Sequence, residues 1–208
     1  MLDGGNKVKK LIALTLVFCM LLTAAACKKK NETDPAERKK VDAETIESDV
    51  SNGKVTELKI TLGTTVAEVK SQNTAKSKGG KKAQNYTEKQ QGEYKIILTD
   101  DAVYYYDPAN ADKGIIAILC YKNDAYAMRF GEDTKSDVRY WLGNGNEGTD
   151  GENINYLPIG TMQGKVSTLT YPYDAYALRC IFSDSNLYAL ILYNNTAFDF
   201  AKASAANG

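Results

Sequence analysis

The chain writes one short segment twice. "DAYAMRF" runs from Asp124 to Phe130 and "DAYALRC" from Asp174 to Cys180, 50 residues apart. At the same offset the match extends from Tyr106/Tyr156 to Arg129/Arg179, with ten identities in 24 aligned positions. A duplicated unit is the natural source of such a match, and it limits the folds open to the chain. The segments alternate large and small residues, as half-buried strands do.

A second echo lies at another offset. Thr65 is followed by Glu68-Val69-Lys70, and Thr134 by Asp137-Val138-Arg139. Threonine with an acid three residues on forms a capping box, in which each side chain satisfies an orphan backbone N–H. Helices are therefore expected to start at both places, the second stopping at Gly143. The helix starts lie 69 residues apart and the strand pairs 50. Unit one thus holds extra residues, and the Lys-, Gly- and Gln-rich stretch 75–93 reads as a flexible insertion.

The fold expected is α+β. It has two tandem modules, each a capped helix packed on an antiparallel meander sheet, after a signal peptide and a flexible tether. Strands are expected near 94–99, 102–107, 114–121 and 124–131, and near 154–159, 165–171, 174–182 and 187–193, with 55–63 leading in. The boundaries are 1–26 signal peptide, 27–52 anchor and disordered tether, 53–133 module one, 134–196 module two, and 197–208 tail.

The layout resembles the tandem modules of the β-lactamase inhibitor protein and of the small lipoproteins of outer-membrane barrel assembly. The resemblance rests on an apolar stretch, Gly then Thr, a capped helix with an acid before valine, a loop, and a meander. It implies helices on one sheet face and partners on the other.

Location is written at the start. Lys7, Lys9 and Lys10 precede an apolar run of 12 residues, Leu11 to Leu22, and then Thr23-Ala24-Ala25-Ala26. Those are the three regions of a secretory signal, and the run is too short to span a bilayer comfortably. Small residues ending on Cys27 resemble a bacterial lipoprotein cleavage box, with Ala24 where leucine is usual. The resemblance implies cleavage before Cys27 and a diacylglycerol anchor on its sulfur. An ordinary cleaved signal or an uncleaved anchor is the other reading. The charged stretch after Cys27 is poor in large apolar residues and suits a solvated tether.

Composition removes several functions. The chain has no histidine, which excludes Ser-His-Asp and Cys-His chemistry within one chain. Residues 93–208 carry 9 basic and 15 acidic side chains, which argues against nucleic acid. The loop "NGNEGTDGEN" (144–153) fails the spacing of a calcium loop. No metal, cofactor or catalytic residue is assigned.

With a turn at Lys122-Asn123 or Pro172-Tyr173, alternation gives the repeated strand two faces. Tyr126, Met128 and Phe130 share one with Ala117, Leu119 and Tyr121. Tyr176, Leu178 and Cys180 share its copy with Ser167, Leu169 and Tyr171, and both read as a core face under a helix. The opposite face carries Ala125, Ala127 and Arg129, and in the copy Ala175, Ala177, Arg179, Thr168 and Thr170. Small residues admit close approach, and arginine supplies a planar fork for carboxylates. These eight residues are the candidate partner-binding set. The competing reading has the rest of the chain covering this face, with arginine paired to a local acid. Cys120 and Cys180 fall on opposite faces in this register, which disfavours a disulfide between them.

The expectation is a non-catalytic protein tethered to the membrane that binds another protein or the cell envelope. The alternative is a module that binds a glycan or small solute through its 14 tyrosines.

Overall fold

Two threonines start two helices, as expected. In the computed structural model, which describes residues 40–76, 82–148, 154–158 and 165–205, Thr65 accepts the Glu68 N–H at 3.2 Å. Thr134 and Asp137 form the full reciprocal box. Among the described residues, three α-helices precede the last strands: α1 (Ala43–Ser51), α2 (Val66–Gln72) and α3 (Lys135–Leu142). Gly143 ends α3 at φ 79°, a conformation glycine takes without a Cβ penalty.

Residues 43–51, expected to belong to a disordered tether, form α1. Asp42 caps the helix, and Ile46 and Val50, four residues apart, bury one stripe against the sheet. The charged surroundings hid that stripe from a reading of average composition.

The sheet has eight strands: β3 (Thr87–Gln91), β4 (Tyr94–Leu98), β5 (Val103–Tyr106), β6 (Ala117–Cys120), β7 (Asn146–Glu147), β8 (Val166–Tyr173), β9 (Tyr176–Ser183) and β10 (Asn186–Asn194). Their spatial order is β3-β4-β5-β6-β10-β9-β8-β7. Every pairing is antiparallel, and the two meanders join through β6 and β10, with Cys120 opposite Leu190 and Ala117 opposite Tyr193. A separate hairpin, β1 (Thr74–Lys76) with β2 (Lys82–Gln84), precedes β3. Residues 40–208 form one compact unit.

The stretch 75–93 is therefore not a plain loop. It holds most of a hairpin and the edge strand β3, whose "TEKQQ" side chains lie at the surface. Charged and amide side chains suit an edge that must not recruit another strand. Residues 55–63 are turns rather than a strand, with Val55, Ile60 and Leu62 buried. Of the strand expected at 154–159, residues 154–158 are described, and they form no strand.

The repeated heptapeptide adopts two structures. Residues 176–183 are strand β9, but 124–130 form a tight turn in which Tyr126 and Ala127 have φ of 55° and 62°. The continuation decides. "CIFS" (180–183) carries apolar residues into the ladder, whereas "FGED" (130–133) brings glycine and two acids. The turn is held by distant groups: Tyr126 donates its hydroxyl to the Lys54 carbonyl at 2.5 Å and its N–H to Glu57 at 2.9 Å.

Register separates the copies further. In unit two the turn is Asp174-Ala175, two residues beyond Pro172-Tyr173, and Tyr173 pairs with Tyr176. Asp174 has φ 49°, which aspartate tolerates and proline cannot reach. The even shift leaves each side chain on its expected face. In unit one the faces are inverted: Ile118 and Cys120 point to the helices, and Ala117 and Leu119 point away.

Both sheet faces are covered. The helix side packs Ile46, Val50, Val69 and Val138 onto Ile97, Tyr104, Leu169, Leu178, Cys180, Phe182 and Leu190. The other side packs Tyr156, Leu157, Phe198 and Ala203 onto Ile96, Tyr105, Ala177, Ile181 and Ile191. The stretch 197–208 thus contributes core residues and a short helix, α4 (Phe200–Ser204), and is not a free tail up to Ala205.

Cys120 and Cys180 lie on one face, not two. Each is directly opposite Leu190, one on either side of it. Two strand spacings put them about 9–10 Å apart, beyond disulfide reach, and both thiols are free.

Candidate functional site

The covered face opens into a cleft around Arg179. Arg179 projects from β9, where it pairs with Thr170 on one side and Ile191 on the other. Its Nε donates to Thr170 Oγ1 at 3.1 Å. Its guanidinium carbon lies 3.8 Å from the centre of the Phe200 ring. Stacking on an aromatic face holds the planar fork in one orientation. Arg179, Tyr94, Tyr193, Asn195, Thr196, Asp199 and Lys202 line a cleft of about 550 Å³ floored by Phe198 and Phe200.

The floor is a cluster of interlocked rings. Phe198 stacks on Tyr94 at 5.3 Å and meets Tyr105 edge-on at the same distance. Phe200 meets Tyr193 edge-on at 4.9 Å and Phe198 at 5.0 Å. The Tyr94 hydroxyl accepts the Asp199 N–H at 3.0 Å, and burial raises its pKa. Tyr94 and Tyr193 are only 3 % and 8 % exposed, so their rings build the wall and offer no free stacking platform.

The rim is polar, with Asn195, Thr196 and Lys202 each engaged within the protein. Among the described residues lining the cleft, Asp199 alone carries a carboxylate, and that group caps α4 by accepting the Ala201 N–H at 2.8 Å. Two converging acids, the minimum for histidine-free acid–base hydrolysis, are not brought together here. The geometry suits a carboxylate or a carbonyl-rich chain received by Arg179, with Lys202 at the margin; the Asn195 amide is spent on the Asp174 and Tyr176 carbonyls.

The expected partner-binding residues divide. Thr168, Thr170, Ala177 and Arg179 do share one face, but Thr168 and Ala177 are buried and only Arg179 lines the cleft. Ala175 lies exposed at the β8–β9 turn. Ala125 is buried on the helix side, and Ala127 is half-buried in the left-handed turn. Arg129 belongs to that turn as well, where Asp133, 1 % exposed, receives its backbone N–H at 2.8 Å, Nε at 3.3 Å and NH2 at 3.1 Å. Glu132 binds its NH1 at 2.6 Å. Arg129 is a clamp on a turn, paired to local acids, and it does not join Arg179. Cys27 lies outside the described residues.

Most of the cleft was missed from sequence because 197–208 was read as a tail. Phe198 and Phe200 are two of only five phenylalanines in the chain, set two apart. That pairing was the available signal. Tyr104, Tyr105 and Tyr106 are buried in β5. Among the described residues no cluster of acids and cysteines is arranged to hold a metal ion.

No family model matches the chain, and no curated protein matches it. Among solved structures it is similar to the DUF4309 family protein YjgB from Bacillus subtilis subsp. subtilis str. 168, at 13% identity and a TM-score of 0.46, covering 76% of this chain and 100% of that one.

Proposed function

We propose that this protein is a lipid-anchored, extracytoplasmic, non-catalytic binding protein that receives a carboxylate-bearing protein or cell-envelope partner at the Arg179 cleft. The observation that carries the reading is Arg179 itself, oriented by Phe200 and Thr170 at a cleft whose lining acid already caps a helix. The leader and Cys27 supply the anchor. Two duplicated modules, fused through β6 and β10, supply the frame. That last view is supported by a helix followed by four strands of the large sheet in each half, α2 then β3 to β6, with the β1–β2 hairpin between them, and α3 then β7 to β10. A glycan stacked on tyrosines has less support, because the cleft tyrosines are packed against phenylalanine.

Crosslinking on intact cells, followed by mass spectrometry, tests the reading. Arg179→Gln should lose the crosslinked partner, while Arg129→Gln, on the other side of the sheet, should keep it. Retention of every crosslink by Arg179→Gln would reject the cleft. Cys27→Ser should release the protein to the medium or leave its precursor uncut, and normal acylation of that variant would reject the anchor.

A further inference from the structure

A second cavity, of about 360 Å³, lies on the helix side where α3 begins. It is lined by Thr134, Lys135, Ser136, Lys165, Ser167, Asp184 and Ser185. We propose that it is a binding site for a phosphate-class oxyanion, separate from the Arg179 cleft.

Three observations converge on it. The first is the start of α3. Within its first turn the Thr134 N–H is taken by Asp137, the Asp137 N–H by Thr134, and the Lys135 N–H by the Ser185 carbonyl at 3.1 Å. The Ser136 N–H has no partner among the described residues. It sits at the positive end of the helix dipole, where anions are favoured.

The second is Ser167, which stands on β8 opposite Phe182 and faces α3. It is 4 % exposed and lines the cavity, yet its hydroxyl makes no hydrogen bond among the described residues. Its Oγ is not sealed from the cavity, so it presents a donor and an acceptor to a molecule that enters.

The third is charge and rigidity. Lys135 and Lys165 both line the cavity and carry positive charge. Lys135 also lies 3.7 Å from Glu147, which pairs with Arg139 as well, so its charge is shared. The Lys165 N–H donates to Asp184 Oδ1 at 3.0 Å and the Asp184 N–H returns to the Lys165 carbonyl at 2.7 Å. A bridge between Thr134 and Asn186 ties the helix start to β10. The walls are therefore fixed before any ligand arrives. Asp184 is the opposing term, a carboxylate in the lining that limits affinity and favours singly charged phosphate forms.

The source could be free inorganic phosphate or the phosphate of an anionic lipid headgroup, and the test separates them. The intact mature protein is titrated with inorganic phosphate at constant ionic strength, and its amides are followed by NMR. The Ser136 amide should shift saturably, with millimolar affinity, and sodium chloride should not reproduce the shift. Ser167→Ala and Lys165→Gln should each weaken binding by about tenfold, the loss expected for one charge-assisted hydrogen bond. Asp184→Asn should tighten it, since asparagine tolerates the same backbone. If the site serves headgroups, phosphatidylglycerol vesicles should bind the non-acylated protein and Lys165→Gln should weaken that binding, while phosphatidylcholine vesicles should not bind. An unsaturable shift, an equal effect of chloride, or unchanged affinity in Ser167→Ala would overturn the proposal. Arg179→Gln should leave phosphate binding intact, so failure here and failure of the cleft are read independently.

Discussion

Replacing Gly92 by alanine tests whether the C-terminal segment is a permanent wall of the cleft. Gly92 occupies the β3–β4 turn at φ 59°. A Cβ there would lie 2.0 Å from the Lys202 carbonyl oxygen and 2.8 Å from that of Ala203. Both belong to α4, and neither is a flexible side-chain end. The Glu93 N–H donates to the same Lys202 carbonyl at 2.9 Å, and Gln91 Nε2 reaches Ala203 at 3.1 Å. The left-handed backbone alone costs an L-residue about 1–2 kcal/mol. Moving α4 away adds the Glu93 hydrogen bond, about 1 kcal/mol, so the total is about 3 kcal/mol. Gly131→Ala is the control, because Gly131 has φ 81° and nothing within 4 Å of its Cβ position. It should cost only the backbone share, about 1–2 kcal/mol. Urea denaturation followed by the fluorescence of Trp141 gives both values. Hydrogen exchange at Glu93 then reports whether α4 has lifted. If the two substitutions differed by less than about 0.5 kcal/mol with Glu93 still protected, the argument from close approach would be refuted and α4 would be loosely held.

Leu178→Ala removes a fully buried side chain and should cost about 2–5 kcal/mol, whereas Arg179→Ala should cost about 1–2 kcal/mol through its ring stack and its Thr170 bond; equal losses by urea unfolding would make Arg179 a core residue. Burial pushes the Cys120 and Cys180 thiols up to about 12, so a thiol reagent should label neither in the folded domain and both once it is unfolded, and rapid native labelling would contradict the packing. Hydrogen bonds from Lys70 and Tyr106 hold the Glu88 carboxyl below its usual range. Its contribution to stability is therefore complete above the ordinary carboxylate pKa and is lost as pH falls through the lowered folded value; Glu88→Gln should flatten that part of the acid-unfolding curve, and an unchanged curve would count against the pairing.

Local signals were legible from sequence wherever local chemistry suffices. Thr65 and Thr134 announce helix starts because a capping box is closed by residues three apart, and Gly143 announces a stop for the same reason. Strands β4, β5, β8, β9 and β10 were legible as apolar or alternating runs. The faces of β8 and β9 survived an error in the turn because parity, not the exact loop, assigns a side chain to a face. The absence of histidine excludes Ser-His-Asp and Cys-His chemistry within one chain on composition alone.

Tertiary structure decided the rest, for reasons no short window contains. Near-identical words at 124 and 174 became a turn and a strand because Lys54 and Glu57 hold Tyr126 in one case and β10 pairs with the other. Cys120 and Cys180 came to one face because the meanders meet at β6 and β10, so that Leu190 stands between them. The candidate arginines parted for the same reason, Arg129 into a clamped turn and Arg179 onto the covered face. That face has a cleft because Phe198 and Phe200 fold back onto it from the end of the chain. The value of an apolar pair in a polar stretch depends on whether a complementary surface exists elsewhere, and only the assembled sheet supplies one.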